Sequence, residues 1–262
     1  MPELAEVEFF RKRWNSGLGQ RVVRVGIHGQ TRVFRGINEA EFAKTLGGSC
    51  PIGSAAHGKQ MIFRFDRATL GVHLGMTGEL RVESPDFTPG KHDHLVLWQK
   101  DAALVFSDPR QFGRLLFQKG ASDPPWWKMR PPDLLSQEFT REELAAFLQR
   151  RKAAPVKAVL LMQERFPGVG NWMADEILWR ARLHPATPGG RVKDVAVLWK
   201  TIRGVCRDAL RVIGTKWGDP PDTWLFNHRW RDGGPCPRCG VELSRKEIGG
   251  RTTCWCTRCQ VD

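Results

Sequence analysis

No stretch of the chain approaches the roughly eighteen consecutive apolar residues that a membrane-spanning helix needs. The opening MPELAEVEFFRK lacks the basic segment and apolar run of a secretory leader. Tyrosine is absent beside 11 tryptophans, a composition that carries no functional reading of its own. Acids are in deficit: 28 Asp and Glu stand against 41 Lys and Arg, a formal charge of +13. That excess favours a polyanionic partner, nucleic acid first; a basic soluble protein without one is the plainer reading. The basic residues are scattered along the chain, which points to a basic folded surface rather than an appended arm. Cysteine is sparse outside one place. Of seven, Cys50 and Cys206 stand alone and a close quartet lies near the end. A secreted disulfide scaffold would spread them differently, so a reducing, cytoplasmic compartment and a metal site are expected.

What is present falls into segments. Up to about residue 120, short apolar or alternating runs separated by Gly, Asp and Pro read as strands: RVVRVGIHG, QMIFRF, TLGVHLG, GELRVES, HLVLWQ, AALVFSD and GRLLFQ. The exception is ELAEVEFFRKRWNSGLG, where Leu4, Val7, Phe10 and Trp14 recur at helical spacing. An N-terminal helix feeding a β-sandwich is expected over residues 1–120. Pro124, Pro125, Pro131 and Pro132 forbid a continuous helix or central strand, making 121–132 a linker. Beyond it REELAAFLQRR, PVKAVLLMQ, GNWMADEILWRAR and RVKDVAVLWKTIRGVCRDALRVI have helical period, giving a helical module over 133–226. The remainder, 227–262, is too short to bury a core of its own. The fold class is α+β.

The cysteines staple that tail. CPRC and CTRC, with 16 residues between Cys239 and Cys256, place Cys236, Cys239, Cys256 and Cys259 as a tetrahedral thiolate set on a two-stranded ribbon. Zinc fits better than iron. Cys254 lies two residues from Cys256 and faces the same side of an extended strand, so it competes as a ligand, though the knuckle spacing favours Cys256. A hairpin tip at GGR puts Arg251 on a compact loop, where it reaches a phosphate or simply solubilises the surface.

Five segments occur in order along essentially the whole chain: PELAEVE, HLGMTGELR, KHDHL with DPRQFG, GVGNWMADEILWRARLHP, and PCPRCG with CTRCQ. Together they resemble the formamidopyrimidine-DNA glycosylase and endonuclease VIII family, and look closest to the formamidopyrimidine branch. The resemblance implies an N-terminal helix and β-sandwich, a helix-two-turn-helix module and a C-terminal zinc hairpin. It also implies one structural zinc and no redox cofactor, and damaged double-stranded DNA as partner. A monomer in the bacterial cytoplasm, associated with the nucleoid, is the accompanying expectation.

By that resemblance Pro2, exposed by removal of Met1, is the nucleophile. An α-amine titrates near 8, so a useful fraction is neutral at working pH. Glu3 is implied as the acid that protonates the sugar ring oxygen or shuttles protons, and Glu6 as the orienter or relay beside the proline nitrogen. Glu8 reads as solvated. Lys59 is implied as a phosphate contact near the lesion; a strand-edge lysine is its plainer reading. Where the family usually has proline this chain has Ala5, which leaves the aim of Pro2 less constrained.

An enzyme that extrudes a nucleotide must fill the gap. The resemblance assigns this to Met76, Arg110 and Phe112, with Arg110 facing the orphaned base; without it Met76 and Phe112 would read as core or turn. Asn171, after the flexible Gly168 and Gly170, is implied as a phosphate donor, with Lys157, His92 and Arg251 as further DNA contacts. His73 and His94 read as structural, and Asp175 and Glu176 as supports of the turn. The segment after the last helix, expected to end near Gly214, is shorter than the lesion-capping loop of the formamidopyrimidine branch. Trp217 or Trp224 is a candidate replacement. Ring-opened formamidopyrimidines and 8-oxoguanine are the expected substrates, removed by a Pro2 imine and then β- and δ-elimination. Oxidised pyrimidines, as in endonuclease VIII, and a silent damage-binding protein are the alternatives.

Overall fold

The computed structural model describes residues 1–28 and 31–261, which divide into two compact units. Met1–Pro2 and Glu6–Arg130 form the first; Glu3–Ala5 and Pro131 onward form the second. Helix α1 (Leu4–Arg13) contributes to both: Leu4 and Ala5 lie in the core of the second, Val7 in that of the first.

The first unit contains β1 (Arg24–Ile27), α2 (Glu39–Leu46), β2 (Pro51–His57), β3 (Gln60–Phe65), β4 (Ala68–His73), β5 (Glu79–Glu83), β6 (Asp93–Trp98), β7 (Ala103–Ser107), β8 (Arg114–Lys119) and the one-turn α3 (Pro125–Lys128). The strands form two antiparallel sheets, β1-β6-β7-β5 and β2-β3-β4-β8. Alternation decides what faces inward. Met61, Phe63 and Phe65 of β3, Leu95 and Leu97 of β6, and Leu104 and Phe106 of β7 share one buried core. The other faces of β6 and β7 are covered too: Val96, Trp98, Ala103 and Val105 pack with Phe87. This is why those strands read as continuous apolar runs.

Two elements differ from the sequence reading. PIGSAAH has little strand propensity, yet becomes β2 because β3 supplies its register from Ala56↔Met61 to Pro51↔Phe65. Residues 39–46 form α2, whose Asn38 cap accepts from Glu41 N–H at 3.0 Å. Within the proline-rich linker, Pro125 opens α3, where its missing N–H is no loss.

The second unit holds α4 (Arg141–Arg150), α5 (Val156–Leu160), α6 (Asn171–Arg180), α7 (Val195–Lys216) and the hairpin of β9 (Leu243–Ile248) and β10 (Arg251–Cys256). Thr140 and Asp194 cap α4 and α7 through their side chains. Helix α6 is buried from Trp172 to Trp179, its two acids Asp175 and Glu176 included. The hairpin closes through Gly249 and Gly250, both at positive φ, as a two-residue turn with right-handed strand twist requires. A Cβ on Gly249 would stand 2.6 Å from Ala158 Cβ, so the tip is seated against α5. Trp179 of α6 packs with Leu225, Leu243, Cys236, Cys254 and Cys256, giving the short tail the core it lacks alone. No helix among the described residues is long and apolar enough to cross a membrane.

Candidate active site and nucleic-acid interface

Helix α6 begins at Gly170, which has no side chain to cap it. Glu3 does so from the other end of the sequence. Its Oε2 accepts from the N–H groups of Gly170 at 2.9 Å and Met173 at 3.1 Å, and Oε1 from Trp172 at 3.0 Å. Leu4 N–H adds a bond to Gly168 O at 3.0 Å. A carboxylate there satisfies orphan donors and meets the positive end of the helix dipole. Only glycine permits the approach: a Cβ on residue 170 would lie 2.2 Å from Glu3 Cδ. Glu3 is 4% exposed, and Ala5 is fully buried beside it. Pro2 and Glu6, the neighbouring positions in the chain, are half-buried.

Lys157 is a correction. It was expected as a surface contact to phosphate, but it is wholly buried. Its Nζ donates to Asp175 Oδ1 at 2.5 Å and to Asn171 O at 2.8 Å. Burial pushes its ammonium below the ordinary lysine range, and Asp175 partly offsets this. Asp175 Oδ2 accepts from Arg229 Nη2 at 2.6 Å, Arg229 Nε at 3.1 Å and Cys254 N–H at 3.2 Å. One carboxylate thus holds α5, the 229 segment and the hairpin to α6. Glu176 does similar work, accepting from Arg180 and from Phe226 N–H.

Asn171 Nδ2 donates to Thr252 O at 2.8 Å, which brings it beside the exposed Arg251 at the hairpin tip. The amide expected to reach for phosphate is therefore bonded within the unit, while its Oδ1 is buried without a hydrogen-bond partner.

The Sγ atoms of Cys236, Cys239, Cys256 and Cys259 lie within 4.8 Å of one another. Tetrahedral zinc at about 2.3 Å per bond spaces its sulfurs by about 3.8 Å, so the set fits. Trp179 Nε1 donates to Cys236 Sγ and Cys259 N–H to Cys256 Sγ, both at 3.4 Å, as suits thiolate acceptors. Cys254 is outside the group and buried in the hairpin core. Zinc bound there ties the two knuckles together.

In the first unit, Lys59 follows Gly58 in the tight β2–β3 turn, where Gly58 has φ 57°. Register places Gln60 opposite His73. Burial, with the charges of Lys59 and Arg35 behind it, pushes the His73 imidazole below the ordinary histidine range. Its Nδ1 accepts from Gly75 N–H at 3.1 Å. Arg35, His73, Arg114, Gln60, Phe112 and Trp126 line a cavity of about 280 Å³. Arg35 and Arg114 were not anticipated, and His73 had been read as structural. Strand register brings Gln60, His73 and Arg114 together, and Arg35 joins them by donating from Nη1 to Gly113 O at 3.2 Å.

Met76 and Phe112 stand out as exposed apolar side chains, at 41% and 49%. Buried Asp108 fixes both loops, accepting from Thr77 Oγ1 at 2.8 Å, Gly113 N–H at 2.7 Å and Arg110 N–H at 3.3 Å. Gly75, at φ 64°, allows the loops to touch, since a Cβ there would be 2.4 Å from Phe112 C. The Arg110 guanidinium lies 4.8 Å from the Phe112 ring. His94 is buried against Asp108 O, and the half-buried His92 lends its carbonyl to Asp108 N–H and Ser107 Oγ. Glu8, expected to be solvated, pairs with Arg11 and Lys12.

Helix α7 runs two residues past Gly214 and ends on Trp217 in the left-handed conformation. Trp224 is buried beneath Arg180, 4.4 Å from ring to guanidinium, so it cannot stack on a ligand.

Residues 1–115 match the formamidopyrimidine-DNA glycosylase N-terminal domain. Residues 131–219 match the H2TH domain of the same enzyme, and 233–261 a zinc finger found in FPG and IleRS. The formamidopyrimidine-DNA glycosylase of Roseiflexus sp. (strain RS-1) is 36% identical over 273 residues, covering 99% of this chain and all of the relative. That of Geotalea uraniireducens (strain Rf4) is 34% identical over 275, with the same coverage. Among solved structures, the wild-type Lactococcus lactis Fpg (MutM) with DNA containing an oxidised pyrimidine superposes at TM-score 0.88. It is 28% identical, and both chains are covered in full. MutM with DNA containing carbocyclic 8-oxo-G gives 0.87 at 28% identity, again over both full chains. The chain belongs to the formamidopyrimidine-DNA glycosylase family.

Proposed function

We propose that this DNA glycosylase and abasic-site lyase excises ring-opened and oxidised purines through an imine on Pro2. The observation that carries the reading is the hold on the chain start: three α6 amides grip Glu3, the residue next to the nucleophile. A nucleophile on a frayed terminus would lose most of the advantage of orientation.

With Met1 removed, the neutral Pro2 nitrogen attacks C1′ of the damaged nucleotide. The N–C1′ bond forms, the glycosidic bond breaks and the base leaves with a proton. Ring opening gives an iminium, which acidifies the C2′ protons. Loss of one expels the 3′ phosphate; a second elimination expels the 5′ phosphate, and water releases the amine. Both oxygens of Glu3 already accept N–H bonds, so its part is to orient the terminus and to offset positive charge on the sugar. Proton transfer then falls to Glu6. Lys59, with Arg35 and His73 beside it, offers positive charge to a phosphate. Met76 and Phe112, rigidly presented by Asp108, fill the gap left by extrusion, and Arg110 meets the orphaned base. Asn171 and Arg251 mark the second phosphate-facing surface.

The short segment after α7 favours a second reading, oxidised pyrimidines, and the Lactococcus lactis enzyme was solved with DNA carrying one. The test is single-turnover cleavage of duplexes bearing formamidopyrimidine, 8-oxoguanine or thymine glycol opposite cytosine or adenine. Faster release of purine lesions opposite cytosine is expected; preference for thymine glycol selects the second reading.

A further inference from the structure

A buried indole N–H is costly unless it finds an acceptor. Trp179, in the last turn of α6, is 6% exposed, and its Nε1 donates to the Sγ of buried Cys236 at 3.4 Å. The backbone N–H groups of Arg238 and Cys239, in the same knuckle, also serve this sulfur. Among the described residues, Trp179 is the one side chain outside the four-cysteine set that donates to any of its sulfurs. A thiol is a weak acceptor, whereas a metal-bound thiolate is a strong one. The bond therefore has most value when the set holds its ion. The knuckle clamps the indole in return. The Arg238 guanidinium lies 4.2 Å from the Trp179 ring, and its Nη1 donates to Trp179 O at 3.1 Å. At its first turn the same helix holds Glu3 through three amides, so α6 is fastened at one end by the chain start and at the other by a metal ligand.

We propose that Trp179 is a zinc-retention residue: its N–H···S bond to Cys236, held in line by Arg238, tightens the grip of the hairpin on zinc and makes α6 part of the metal centre. Four thiolates around one dication leave the centre anionic. The indole N–H points at that negative charge, and the Arg238 guanidinium stands beside it. The bond draws charge off the Cys236 sulfur and fixes its position, which stabilises it as a ligand. Trp179 touches the ligand and not the ion, so it acts as a positioning residue.

The test measures zinc affinity of the full chain by competition with a chromophoric chelator. Trp179→Phe keeps an aromatic ring and removes the donor; it should weaken zinc by about ten- to a hundredfold. Arg238→Gln leaves the core untouched and removes only the clamp; it should weaken zinc by about two- to fivefold. Leu243→Ala loosens the same hairpin core while keeping the donor, and so controls for packing. Cobalt in place of zinc separates the two effects, because its sulfur-to-metal charge-transfer band reports the charge on the thiolates. That band should move to lower energy in Trp179→Phe and stay in place in Leu243→Ala. Wild-type zinc affinity in both Trp179→Phe and Arg238→Gln overturns the proposal. So does a cobalt band that Leu243→Ala moves as far as Trp179→Phe does, since packing alone would then account for the effect.

Discussion

Glu3 and Gly170 depend on each other. The carboxylate can reach the start of α6 only because residue 170 has no Cβ, and the helix start is capped only because the carboxylate reaches it. Gly170→Ala should therefore cost about 1–3 kcal/mol of stability, as overpacking does, and should lower the excision rate further by displacing the residue beside Pro2. Thermal unfolding and single-turnover rates would check both; an unchanged rate would separate Glu3 placement from catalysis. His73 offers a pH test. Its folded pKa is depressed, so the folded state holds its proton less tightly than the unfolded state. The stability involved is present above the unfolded value near 6.5 and is lost as pH falls toward the folded value. His73→Asn keeps an acceptor for Gly75 N–H but cannot titrate. The stability difference between wild type and variant should be flat above pH 7 and change below about 6.5, by at most about 1.4 kcal/mol per pH unit. A difference independent of pH would exclude the protonation effect. These residue-level facts were poorly legible in the sequence. Lys157 looks like any surface lysine until Asp175, eighteen positions on, is seen against it.

At the scale of elements, Asp175 joins α5, α6, the 229 segment and β10. Asp175→Asn would leave Lys157 and Arg229 buried without their anion, a loss of about 3–5 kcal/mol. Chemical denaturation would show it. A loss under about 1 kcal/mol, the value of an exposed pair, would contradict the burial. The metal ligands are separable in the same way. Cys256→Ser should bind less than one zinc per chain and loosen the hairpin, whereas Cys254→Ser should keep one, as metal analysis after dialysis would report. Zinc retained by the first variant and lost by the second would reverse the assignment. Elements with strong periodicity were visible in advance: β3, β6, β7 and α7 follow from where their apolar residues recur. The β2 strand was not, because Gly-Ser-Ala-Ala has no preference of its own and takes its conformation from β3. The four-cysteine set was legible because two knuckles carry their geometry in their spacing. The cluster of Arg35, His73 and Arg114 was not, because it exists only through strand pairing and the bond from Arg35 to Gly113 O, both between residues far apart in the chain.

At the scale of the whole chain, the charge of +13 and the family membership agree on a polyanionic substrate. Charge supplies attraction without chemistry, and family membership supplies a class of reaction without a lesion. On the mechanism proposed above, what distinguishes this chain from a protein that merely binds damaged DNA is an amine that forms a covalent bond. The most direct measurement is reduction with cyanoborohydride during reaction on abasic-site DNA, followed by peptide mass mapping of the adduct. The account predicts a one-to-one adduct on the nitrogen of Pro2 in protein lacking Met1, and none when Met1 is retained. An adduct on a lysine, or strand cleavage that persists in full with the Pro2 nitrogen blocked, would contradict it.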